Sequence, residues 1–85
     1  MGQSMNVPPL VIKPERLEDL LVTMLTDSTG KSVEHWRQVL GTVTPRPLTM
    51  NARSNWEVRP TAEGDDRYAV EKAIQIARFE YPYVG

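Results

Sequence analysis

A mainly α fold, with three helices and a short extended or two-stranded segment between the second and third, is what this chain predicts; a small α+β fold is the alternative. Three observations carry the prediction. Leu17, Leu20, Leu21, Met24 and Leu25 recur at the i, i+3, i+4, i+7, i+8 spacing of one helical face. Val70, Ala73, Ile74, Ala77 and Tyr81 trace a second such stripe, which Ile76 and Phe79 are expected to widen. Between them Pro45 and Pro47 interrupt the chain, where a ring in place of the backbone N–H excludes helix. The helices are expected at about 14–27, 33–40 and 65–80.

Residues 1–13 hold Pro8 and Pro9 and no periodic pattern, so they read as a flexible or extended lead-in from which Val11 and Ile12 can dock on the core. Met1–Ser4 ahead of Met5 read as an expression remnant and are kept out of the fold argument. Residues 14–85 are expected to form a single small domain. Pro14 suits a first helical turn, and Glu15, Glu18 and Asp19 put negative charge near the positive end of the dipole. Asp27-Ser28-Thr29-Gly30 should end that helix. Ser32 is the expected N-cap of a second one, with Val33, Trp36, Val39 and Leu40 on its apolar face and Gly41 closing it. Trp36 should then pack on Leu21 and Leu25. Trp56 and Val58 alternate with Glu57 and Arg59, which predicts a strand at 55–59, paired with 48–50 through the polar turn 51–54. Asp65 and Asp66 open the last helix and Pro82 stops it, leaving a short tail.

The chain has 85 residues, enough for one modest core. At 40% hydrophobic and 25% charged residues it falls in the ordinary globular range. It has no cysteine, so neither disulfides nor thiolate metal sites supplement packing, and a reducing cytoplasm is the expected compartment. No apolar run approaches the roughly 20 residues needed to span a bilayer. The net charge of −1 by itself points to no polyanion. Its distribution is uneven: Lys31, Arg37, Arg46, Arg53 and Arg59 oppose only Glu34 and Glu57, so the middle third is basic while both flanking thirds are acidic.

Motifs that would carry chemistry fail on inspection. Gly30-Lys31-Ser32 ends like a phosphate-binding loop, yet Leu25 occupies the place of its first glycine and a helix precedes it instead of a strand. His35 is the only histidine, so no metal site of histidines can form, and it reads as a surface side chain. The pairs Glu18-Asp19 and Asp65-Asp66 diverge by about 100° around a helix, as dipole-compensating charges would, without converging on a bond. A helix–turn–helix reading meets Glu34 on the would-be recognition helix and a connection longer than usual. No enzyme, metal or cofactor is expected.

What remains is the basic middle. Arg37, Arg46, Arg53 and Arg59, gathered around an uncovered Trp56, would form a partner-binding face, because tryptophan and arginine combine large contact area with directional hydrogen bonding. The leading expectation is therefore a small, non-catalytic intracellular protein-interaction module that binds another protein or its own copy. The alternative is a nucleic-acid-binding accessory protein using residues 31–60. Enclosure of Trp56, or pairing of the arginines with carboxylates, would remove that face.

Overall fold

In a computed structural model, which describes residues 11–47 and 54–85, the order of elements is α1 (Pro14–Thr29), α2 (Val33–Leu40), β1 (Thr44–Pro45), β2 (Trp56–Glu57) and α3 (Gly64–Glu80). The fold is mainly α with a small two-stranded antiparallel sheet between α2 and α3. Pro14 stands at the start of α1. The helix outlasts its expected end by two residues, and there Ser28 and Thr29 donate their hydroxyls back to the Leu25 carbonyl, at 3.4 and 2.6 Å. Gly30 then closes it at φ 80°, donating its N–H to the Thr26 carbonyl. Ser32 caps α2 as expected, its hydroxyl accepting the His35 N–H at 3.1 Å. Gly41, at φ 88°, turns the chain out of α2 so close to the Arg59 carbonyl that a Cβ would come within 2.9 Å of that oxygen. Glu18 does more than offset a dipole: it accepts the Val43 N–H at 2.9 Å and ties this turn to α1.

The sheet is shorter than the strand expected at 55–59, and among the described residues its partner is Thr44–Pro45. Thr44 stands opposite Glu57 and Pro45 opposite Trp56. Residues 48–50, the expected partner, lie outside the described residues. Proline suits β1 because it lies at an edge, and the next residue, Arg46, donates its N–H to the Asn55 carbonyl at 2.6 Å. Asn55 also fastens the C-terminal tail. Its side chain donates to the Val84 carbonyl at 2.8 Å and accepts the Val84 N–H at 2.7 Å, while its own N–H bonds the Pro82 carbonyl. Val84 is buried and forms a parallel bridge with Ile12, so the lead-in and the tail hold one another.

α1 and α3 run antiparallel, since Ser28 and Thr29 lie beside Tyr68 and Ala69, and Leu20 lies beside Tyr81. Leu17, Leu21 and Leu25 of α1, Trp36 and Leu40 of α2, and Val70, Ala73, Ile74 and Ala77 of α3 share one core with Val43, Trp56, Ala62 and Val84. Leu21 and Ile74 are buried as their central places in the stripes require. Two expectations for α3 need correction. Ile76 is 45% exposed and Phe79 88% exposed, because Phe79 lies about 160° around the helix from the buried Ala77 and cannot share its face. On α2, Val33 is exposed as well.

Candidate functional site

The basic residues of the middle segment do not gather around an uncovered ring. Arg37 reaches back from α2 to Asp19 of α1, with Nη2 2.6 Å from Oδ1. Arg46 and Arg59 flank the carboxylate of Glu57 from either side of β2, at 3.5 and 3.0 Å. Lys31 pairs with Asp66 at 2.6 Å. Arg53 lies outside the described residues. Each described cation of the segment thus has a carboxylate partner; the Arg37 and Lys31 pairs join sequentially distant elements, whereas Arg59 and Glu57 are two residues apart.

Trp56 is only 2% exposed, which corrects its expected place as a surface anchor. Its polar and proline neighbours suggested exposure. However, the alternation of a strand turns its ring inward, and α3 supplies the rest of its enclosure. The indole N–H donates to the Tyr81 carbonyl at 2.8 Å. The Arg78 guanidinium lies 4.4 Å from the ring centroid while donating to the Trp56 carbonyl at 3.1 Å and to the Ser54 hydroxyl at 3.3 Å. Ser54, itself buried, accepts the Trp56 N–H and donates to its carbonyl. One tryptophan, one arginine and one serine therefore lock β2 to α3. Arg78 and Ser54 carry no motif and cannot be found from spacing alone.

His35 is half covered, not the plain surface histidine expected. Its Nε2 lies 2.7 Å from Oδ2 of Asp66, and its ring meets Trp36 edge to face with centroids 4.7 Å apart. The Lys31 ammonium bonded to Asp66 holds that carboxyl below its usual titration range, with His35 adding to the effect against an opposing contribution from partial burial. Trp36 completes the cluster by donating its indole N–H to the Thr29 hydroxyl at 3.2 Å. The cluster joins the start of α2 to the first turn of α3. Among the described residues no group of three or more His, Asp or Glu side chains could hold a metal ion, and no helix is long and apolar enough to cross a membrane.

The two least covered large apolar side chains among the described residues, Phe79 and Tyr68, belong to α3. Tyr68 (70% exposed), Ile76 and Phe79 follow one another at i, i+8 and i+11, with Lys72 between them at i+4. The Lys72 ammonium stands 5.9 Å above the Tyr68 ring. Beside this stripe a shallow groove of about 340 Å³ runs between α1 and α3, floored by Ala69 and Ala73 and walled by Met24, Tyr68 and Ile76. A second hollow under Phe79 continues to Pro82. Sequence reasoning missed Tyr68 and Lys72 and assigned Ile76 and Phe79 to the core. The signal was present: α3 carries apolar residues over more of its circumference than one buried face can use. Comparison with protein-family models, curated proteins and solved structures finds no match to this chain.

Proposed function

We propose that this chain is a small, non-catalytic protein-interaction module of the cytoplasm, and that its working surface is the outward face of α3. The observation that carries the reading is the exposure of Phe79 in line with Tyr68 and Ile76 on an ordered helix. Scattered exposed apolar residues are ordinary, but here two aromatic rings and a branched aliphatic chain share one helical stripe, interrupted by Lys72. Such stripes favour protein partners, since aromatic side chains are enriched at the centres of interfaces. The cysteine-free composition suits a reducing compartment.

The nucleic-acid alternative draws less support. It needs unpaired cations beside a stacking ring, whereas Arg37, Arg46 and Arg59 are engaged by Asp19 and Glu57 and Trp56 is enclosed. The two readings separate when a photo-crosslinking residue is placed at position 79 in one variant and at position 46 in another. Protein adducts from position 79 that disappear when Tyr68→Ala is added are the expected result. Adducts from position 46 alone, or adducts to nucleic acid, would overturn the reading.

A further inference from the structure

We infer that the partner of the α3 face is a second copy of this chain, docked through α3 in an antiparallel, two-fold symmetric pair. This rests on the reading of that face as the working surface and adds the identity of its occupant.

The pattern on the stripe is self-complementary. A two-fold interface sets each patch against its own copy, so residue i meets residue j and j meets i. Place the axis midway along the stripe, between Lys72 and Ile76. Tyr68 of one copy then stands against Phe79 of the other, and the reverse, giving two aromatic contacts at the ends of the seam. Ile76 packs on the aliphatic stem of the partner's Lys72, and the reverse again. The ammonium of Lys72 is left one helical turn from the partner's Glu80, within the reach of a lysine side chain. Neither Lys72 nor Glu80 forms an ion pair with another described residue of its own chain, so both are available for this pairing. The pairing also places a carboxylate near each of the two lysines, which otherwise approach one another at the axis.

The seam is a single helix face flanked by Met24, Gln75 and Pro82, which suits a reversible pair better than an obligate one. Phe79, the most exposed of the anchors, is expected to contribute most to the association.

Sedimentation velocity of the purified full chain, from micromolar to millimolar concentration, tests the inference. A monomer–dimer equilibrium is expected, weakened at least about 30-fold by Phe79→Ala. Because Phe79 is exposed, the variant should keep its circular dichroism and urea midpoint, so loss of association is separable from loss of fold. Lys72→Glu and Glu80→Lys should each weaken the dimer, and the double reversal should restore it. A chain monomeric at every concentration, or a dimer indifferent to Phe79→Ala, would overturn the inference. Failure of the double reversal to restore what the single reversals lost would overturn the register. If the chain stays monomeric while position 79 still gives adducts with a different protein, the self-pairing fails and the α3 reading stands; adducts from position 46 alone sink both.

Discussion

Replacing Trp56 with alanine should cost this protein a large part of its stability, not a binding partner. Removing a buried tryptophan ring costs about 3–5 kcal/mol through lost transfer energy and the cavity left behind. The Tyr81 carbonyl loses the indole N–H held at 2.8 Å, worth about 1 kcal/mol, and Arg78 loses the ring it stacks on, worth about 0.5–1 kcal/mol. These contributions overlap, and together they come to about 4–6 kcal/mol. A domain of 85 residues has about 4–13 kcal/mol in all at the usual stability per residue. Urea titration by far-ultraviolet circular dichroism reads the change, with Trp36 left as an internal fluorophore. Trp56→Phe, which keeps one six-membered ring but loses the pyrrole half of the indole with its N–H donor, should fall by about 1–3 kcal/mol. If Trp56→Ala changes unfolding by less than about 1 kcal/mol at an unchanged m value, the ring is not part of the core and the assignment of β2 to the interior is wrong.

Other substitutions probe the frame around that core. Leu21→Ala, at the centre of the α1 stripe, should cost about 2–5 kcal/mol in the same titration. Gly30→Ala should cost about 1–2 kcal/mol for its left-handed backbone alone, since nothing lies within 4 Å of the added methyl. Gly41→Ala should cost more, because strain adds to a Cβ placed 2.9 Å from the Arg59 carbonyl; equal losses at the two glycines would show that the turn yields freely. Asp66 supplies a pH dependence whose sign follows from its lowered pKa. Its ionised form is favoured in the folded chain, so that stability is fully present above the ordinary value of 3.8 and is lost as pH falls through the lower folded value. Thermal midpoints measured from pH 6 down to about pH 2 should therefore drop less steeply at the acid end in Asp66→Asn than in the parent. Parallel profiles would show that the pairing with Lys31 and His35 contributes nothing.

The helices were legible because their causes are local. Leucine spacing, Pro14, the Ser32 cap and the two closing glycines each act within one turn, and each sits where its chemistry requires. Pairing across the chain was not legible. Nothing in the Thr44-Pro45 dipeptide announces a strand, and nothing near Asn55 says that it will grip Val84 at a separation of 29 residues. The candidate site was misplaced for the same reason. Trp56 looks exposed among its neighbours in sequence, and the residues that enclose it, Arg78 over its ring among them, are brought over from distant parts of the chain. Phe79 looked like core because a broad apolar stripe and two separate faces give nearly the same residue pattern, and only the position of α1 decides between them.

Amide chemical shifts followed by heteronuclear NMR over a dilution series test the central claim most directly. If the outward face of α3 is the working surface and a second copy its occupant, concentration-dependent shifts should cluster at Tyr68, Lys72, Ile76, Phe79 and Glu80, while Arg37, Arg46, Trp56 and Arg59 stay fixed. Shifts centred on the arginines, or a spectrum that does not change with concentration, would contradict it.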